Sequence, residues 1–353
     1  MDLKSIQERF ENETDKQYWE KLRTLLFSED KESLLQGINL LESLDEILYF
    51  DGVCTFLETD GNGNWKLKPD FEFEHELLLK LEVLRMAQEG EGHEIHTAFQ
   101  NGSFEEMFVG VCGEVAFEDL SESQQERLFS KMSEMVKIER DEGDYLVMKY
   151  PMTQVLWSSV SESNPSKFLG ASRPVERISW VDCVIFANQM SEKEGLEKVY
   201  DIAPKIIVAC KLQQSSRDPS VGRYAKEIKA IEGANGYRLP TETEWEYAAK
   251  GGEEYTYAGS NDLDEVGWCE EDWEEGSTHG VGQKKCNGYG LYDMSGNVQE
   301  WCFDVYSTDG LRYICRGGSW NDLARTAEVS YRKHSLPSVR HISKGVRFVR
   351  TLK

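Results

Sequence analysis

The chain has 353 residues, 39% of them hydrophobic and 11% aromatic, and carries a formal charge of −24. Its nine tryptophans need a packed interior, which excludes a disordered chain, and the length accommodates two domains or one large domain with a smaller partner. The charge is regional: residues 1–150 hold 35 Asp/Glu against 15 Lys/Arg, whereas residues 312–353 hold ten Lys/Arg against two Asp/Glu. So negative a molecule disfavours nucleic acid, because phosphate neutralisation needs a basic face; an unknown protein or an anionic ligand at the basic C-terminal surface is the expected partner.

The opening MDLKSIQERFENETDKQYWEKL lacks an apolar core of signal-peptide length, and no run approaches a membrane span. The expected setting is cytoplasmic, with no membrane partner and with reduced cysteines that show no C-x-x-C or zinc-ligand spacing. In KESLLQGINLLESLDEILYF, Leu34, Leu35, Ile38, Leu41 and Leu44 recur at helical spacing. The loop DGNGNWKLKPD precedes a second helical run, EHELLLKLEVLRMAQEG, and SESQQERLFSKMSEMVKI makes a third with Ser121 as N-cap. Residues 1–142 therefore read as an acidic helical domain. The alternation Asp60, Asn62, Asn64 resembles a calcium loop, but Trp65 stands where such a loop needs glycine, and the stretch reads as a plain turn.

From about residue 145 the helices shorten and Gly, Asn, Trp and Tyr gather in turn-rich stretches, the pattern of an α+β domain. SWVDCVIFANQMSEKEGL predicts a helix capped near Ser179. TETEWEYAAKGG predicts another, with Thr241 as N-cap, Glu244 closing a capping box and Gly251 at the far end.

The segments MTQVLW, NPSKF, YRLPTETEWEYAAKGG, NGYGLYDMSGNVQEW, RGGSW and a final GVRF follow one another in order. In them residues 143–353 resemble the formylglycine-generating enzyme, or sulfatase-modifying factor, family. The resemblance implies a C-type-lectin-like α+β fold poor in regular structure. Read alone, Gly296-Asn297 suits a tight turn with Tyr292, Met294 and Trp301 packed beneath it. The resemblance adds a structural calcium ion there, held by the side chains of Asp293 and Glu300 and the carbonyls of Gly296 and Val298, all oxygen donors of the kind a hard cation takes. A second calcium site of the family is not matched, since GWCEEDWEEGSTHG lacks an asparagine beside its tryptophan.

The family's oxidases hold copper(I) with two cysteines, five residues apart, soon after R-G-G-S. Aligning on Arg316–Ser319 puts Asp322 and Ala327 at those positions, so no copper is expected, and Cys302 and Cys315 read as buried structural thiols. A non-catalytic branch, the variable proteins of diversity-generating retroelements, ends in a similar pattern. Here the framework is matched at Trp320, Ala324, Ser330, Tyr331, Arg332, Pro337, Arg340, Gly345 and Arg347, with Arg332 and Arg347 expected in buried charge-assisted hydrogen bonds.

The positions between are the expected ligand contacts: Asn321, Asp322, Leu323, Arg325, Thr326, Lys333, His334, Ser335, Leu336, Ser338, Val339, His341, Ile342 and Ser343. Binding energy is expected to concentrate in Trp320, Leu323, Leu336, Arg325 and His334; an ordinary solvated loop is the plainer alternative. Adenine mutagenesis of the usual asparagine codon cannot produce Lys333, so a static surface is expected rather than a diversified one.

The function expected is non-catalytic recognition, with the helical domain as an adaptor or as an acidic cover over the basic end. The alternative is a metal-dependent oxidoreductase of the family: a copper oxidase with a displaced thiol site, or an enzyme of the iron sulfoxide synthase type holding iron through His75, His93 and His96.

Overall fold

The computed structural model describes residues 122–352 apart from 162, 212–222 and 271–275, together with 57–59, 65–67, 109, 112, 113, 115, 116 and 120. The chain divides into two compact units, Met1–Val111 and Cys112–Lys353. In the first, β1 (Leu57–Thr59) pairs antiparallel with β2 (Trp65–Leu67), so Trp65 belongs to a strand. The helices expected around Leu34–Leu44 and after Glu74, the Asp60–Asn64 alternation, His75, His93 and His96 lie outside the described residues.

The second unit starts ahead of the expected boundary at residue 143. In α1 (Glu122–Met132), Leu128 and Met132 stand one turn apart on a single face and are fully buried. The helix follows directly on Ser121, which itself lies outside the described residues. Next, β3 (Met135–Ile138) pairs antiparallel with β4 (Tyr145–Met148), so one hairpin straddles residue 143.

The remaining elements are short. They are α2 (Gln154–Val160), α3 (Trp180–Lys193), β5 (Tyr200–Asp201), α4 (Pro204–Lys211), β6 (Lys229–Ala230), β7 (Tyr237–Arg238), α5 (Glu242–Lys250), α6 (Leu263–Val266), β8 (Gly267–Trp268), β9 (Ser295–Gly296), β10 (Gln299–Val305), β11 (Tyr313–Arg316), β12 (Lys333–Ser335), β13 (Lys344–Gly345) and β14 (Val349–Thr351). Among the described residues, two four-stranded sheets carry the unit, ordered β3-β4-β14-β7 and β12-β11-β10-β13. Because β14 lies between β4 and β7, the last strand of the chain closes the domain against its first hairpin.

Local sequence accounts for the helix ends. Ser179 Oγ accepts from the Asp182 amide at 3.1 Å while Asp182 Oδ2 accepts from the Ser179 amide at 2.8 Å, which closes a capping box on α3. Thr241 and Glu244 do the same for α5 at 3.2 and 2.8 Å, and Gly251 ends that helix in the left-handed region. Burial of indoles supplies the interior: Trp180, Trp245, Trp301 and Trp320 are all fully buried. Trp180 donates to the Cys302 carbonyl at 2.9 Å and Trp301 to the Ile178 carbonyl at 3.1 Å, so burial leaves these two indole N–H groups satisfied. No helix among the described residues is long and apolar enough to cross a membrane.

At Gly296, φ is +84° and a Cβ would meet the Trp268 carbonyl oxygen at 2.3 Å, so backbone sits against backbone. Thr241→Ala is expected to cost about 1 kcal/mol through the lost cap. Gly296→Ala is expected to cost clearly more than about 1 kcal/mol, because strain and a backbone clash add. Urea titration of the two variants beside the parent chain checks this order.

Candidate functional site: the surface of the C-terminal segment

β11 delivers the chain into Gly317 and Gly318, with φ +89° and +70°; at Gly318 a Cβ would meet the Ala327 amide nitrogen at 2.9 Å. This turn drives Trp320 inward, where it is fully buried and meets Phe168 edge-on at 5.4 Å. Trp320 is therefore a core residue and not the expected contact anchor. Thr326, Ser338 and Ser343 are buried as well, against expectation. The Thr326 hydroxyl closes a tight turn on the Leu323 carbonyl at 2.8 Å, and the Ser343 hydroxyl lies 2.7 Å from His341 Nδ1. Leu323 and Arg325 are exposed, and Asn321, Asp322, Lys333, His334, Ser335, Leu336, Val339, His341 and Ile342 are half-buried.

Strand alternation sorts the side chains of β12 onto two faces. On one, Lys333 Nζ donates to Asp322 Oδ1 at 2.6 Å, and Asp322 Oδ2 accepts from Ser319 Oγ and Gln299 Nε2, each at 2.6 Å. Gln299 Oε1 in turn accepts from the buried Lys344 Nζ at 2.9 Å, which sits 3.4 Å from Cys315 Sγ and 4.7 Å over the Trp301 ring. Burial alone would raise the Asp322 carboxyl; Lys333 and Ser319 outweigh it and hold the group below its ordinary value. Ala327, at the other position aligned with the oxidases' cysteine pair, is fully buried. Cys302 and Cys315 are buried free thiols that desolvation pushes up, which makes them poor thiolates.

The other face holds residues that the sequence motifs did not single out. His334 lies against Tyr306, ring centroids 4.1 Å apart, and its Nδ1 is 3.3 Å from Arg312 Nη1. The Arg332 guanidinium stands 5.6 Å over the same tyrosine. Arg332 was expected in a buried bond; its side chain is half exposed and grips Glu242 with two bonds of 2.6 Å. Tyr306 and Arg312 come from the β10–β11 connection, outside the RGGSW pattern. Only the pairing of His334 with Ile314 across β11 and β12 brings them alongside.

The basic excess of residues 312–353 is largely answered within the domain. Arg316 pairs with Glu242 and Glu246, Arg332 with Glu242, Lys333 with Asp322, Arg340 with Asp182 and Arg347 with Glu300. A broadly basic C-terminal surface is thus not what the fold presents. Arg312 and Arg325 are the exposed arginines of this segment that form no ion pair among the described residues.

The expected calcium donors do not fit as a set. Glu300 is fully buried and accepts three bonds of 2.8–3.1 Å from Arg347 and one of 2.6 Å from the Trp245 indole. Its carboxylate faces a guanidinium, so a cation would find the position already neutralised. Asp293 accepts from the Gly282 amide at 2.8 Å and the Asn297 amide group at 3.3 Å, and desolvation raises its carboxyl. Gly296 pairs with Trp268 between β9 and β8, and Val298 is buried in the core.

A further buried carboxyl supports the platform. Glu176 Oε1 accepts from the Phe168 amide at 3.0 Å and from the Lys167 amide, fixing the loop that carries Phe168 onto Trp320. Desolvation raises this carboxyl from 4.5 to about 7. A raised folded-state pKa favours the neutral form, so folding stability should fall as pH climbs from 4.5 to about 7 and level off above. Glu176→Gln should flatten that slope, as thermal melts across the window would record. Arg347→Ala, which leaves Glu300 buried and unpaired, is expected to destabilise by about 3–5 kcal/mol. The double change Arg347→Met with Glu300→Gln should recover part of that loss in the same denaturation assay.

Comparison with known proteins agrees with this geometry. The family model for the Sulfatase-modifying factor enzyme 1-like domain matches residues 100–352. Chaperone protein LppX of Paenibacillus barcinonensis is 40% identical over 216 residues, 54% of this chain and 74% of that protein. The formylglycine-generating enzyme of Thermomonospora curvata is 42% identical over 88 residues, which span 21% of this chain and only 29% of the enzyme. Among solved structures, Treponema denticola variable protein 1 superposes with a TM-score of 0.54 at 30% identity, covering 62% of this chain and 95% of that one. With its paired sheets, buried tryptophans and RGGSW turn, the chain belongs to the sulfatase-modifying factor, or formylglycine-generating enzyme, family and has that family's C-type-lectin-like fold.

Proposed function

We propose that this chain is a non-catalytic recognition protein whose C-terminal segment presents a partner-binding surface, with the residues ahead of the lectin-like domain as its adaptor. One observation carries the reading. Where the oxidases place a thiol pair, Asp322 is locked between Lys333, Ser319 and Gln299, and Ala327 is sealed in the core. Of the outer positions of the same segment, Leu323 and Arg325 stand exposed, and His334 and Leu336 are half-buried. Mixed apolar, aromatic and guanidinium groups over a rigid floor suit protein contact. Likeness to a variable protein across nearly all of its length, and to a protein named a chaperone, supports contact as the mode of action.

Metal-dependent oxidation is the competing reading, and the stretch shared with the Thermomonospora curvata enzyme favours it. Soft thiolates are what copper(I) requires, and Asp322 and Ala327 supply none.

Combined Leu323→Ala, His334→Ala and Leu336→Ala should lower capture of a partner from native lysate by at least about tenfold, since contact energy concentrates in few anchors. The melting temperature should stay near that of the parent chain. Unchanged capture defeats the reading, and stoichiometric copper(I) binding with thiol-dependent oxygen uptake establishes its competitor.

A further inference from the structure

We infer that the open edge of β12 is a docking edge for an extended, acidic peptide segment of the partner, which would add to the sheet as a further strand. The inference rests on the recognition reading above and names the chemistry of what is recognised. In the order β12-β11-β10-β13, Lys333–Ser335 is a terminal strand, paired on one side with Tyr313–Cys315 and with no strand on its outer side among the described residues. Such an edge offers unpaired amide and carbonyl groups to any incoming strand.

Lysine is a residue type that commonly guards an edge of this kind. Here it is drawn away: Lys333 folds onto Asp322 at 2.6 Å, toward the network that runs to Lys344. What remains beside the edge on the opposite face is an aromatic pair, Tyr306 and His334, tilted at 36° to each other between two guanidiniums. Arg332 is held by Glu242, whereas Arg312 is exposed, touches His334 and forms no ion pair among the described residues, although its charge reaches Asp309. Tyr306 is 45% exposed, an apolar ring on the face that carries Arg312 and His334.

These features select the occupant. A strand added to β12 sends alternate side chains onto this face, beside His334. A carboxylate there reaches Arg312 and forms a charge-assisted bond, while a cation meets two guanidiniums. Burial and the nearby Arg312 charge hold the His334 imidazole below its ordinary pKa, so at neutral pH the ring is uncharged and Nδ1 accepts from Arg312. An apolar side chain two positions along the same strand lies on this face and finds Tyr306. The matching sequence therefore sets an acidic residue two positions from an aliphatic or aromatic one.

The test is selection of a displayed library of random linear peptides on the full chain, with the winners measured by fluorescence anisotropy. Winners are expected to carry Asp or Glu two positions from an apolar residue. Arg312→Ala should weaken them at least about tenfold, Arg312→Glu more and Arg312→Lys less, because a guanidinium binds a carboxylate bidentately. Replacing the peptide's carboxylate by its amide should match the Arg312→Ala loss, and methylating its backbone nitrogens should abolish binding. Amides of β12 should gain protection from hydrogen exchange in the complex.

Neutral or basic winners, no winners, or affinity indifferent to Arg312→Ala overturn the inference, as does self-association of the chain through this edge in sedimentation. Lysate capture separates the two readings. A partner lost with the Leu323, His334 and Leu336 triple variant but kept with Arg312→Ala removes the docking edge and leaves the recognition surface standing; a partner kept by both removes both.

Discussion

The domain depends on a guanidinium and a carboxylate paired in its interior. Arg347 and Glu300 are fully buried and meet at 2.8–3.1 Å, with Arg347 also donating to the Met148, Lys149 and Tyr292 carbonyls and Glu300 accepting from Trp245. One side chain thereby joins the β3-β4-β14-β7 sheet to β10 and to the turn ahead of Gly296. Desolvating such a pair costs several kcal/mol per ion, at least as much as attraction alone returns, so it is tolerable only when the remaining lone pairs and protons are also bonded. That requirement explains why three carbonyls and an indole converge here. It also explains the poor fit of calcium: the carboxylate a cation would need already balances a charge that cannot leave.

The same economy of charge recurs with Arg316. Its side chain is fully buried, reaches Glu242 and Glu246 on α5, bonds the Val329 carbonyl at 2.6 Å and stands 5.2 Å over the Trp245 ring. With Lys333, Arg340 and Arg347 similarly paired, the basic composition of the C-terminal segment becomes internal structure rather than an outward field. Recognition by such a surface depends on a few specific anchors more than on long-range attraction.

What was legible in the sequence was local or glycine-dependent. The helix cap at Ser179, the capping box at Thr241 and the end of α5 at Gly251 are set by residues three to ten positions apart, and the structure has all of them. Resemblance to the variable proteins supplied the framework of the C-terminal segment. It could not tell which way Trp320, Thr326 or Arg332 faces, because that depends on the register of β12 against β11 and on Phe168 arriving from far upstream. Tyr306 and Arg312 escaped notice for the same reason: nothing marks them until the β10–β11 pairing sets them next to His334. The partner of Glu300 lies 47 positions away, so its carboxylate could be read as a metal ligand until the fold supplied Arg347.

Replacing a thiol position by Asp322 does more than remove a soft ligand. The carboxylate becomes the hub of a chain of bonds from Lys333 at the surface through Gln299 to the buried Lys344. A floor tied in this way holds the backbone of residues 319–323 and 333 in one arrangement. Ordering a contact surface costs roughly 0.5–1.5 kcal/mol for each side chain immobilised on binding, so a pre-set floor leaves more of the contact energy available as affinity. Glu176 acts one layer below, fixing the loop on which Phe168 supports Trp320. The backbone that carries a reaction centre in one branch of the family can thus carry a contact surface in another, with the difference lying in which side chains the turn after Ser319 presents and what braces them from beneath.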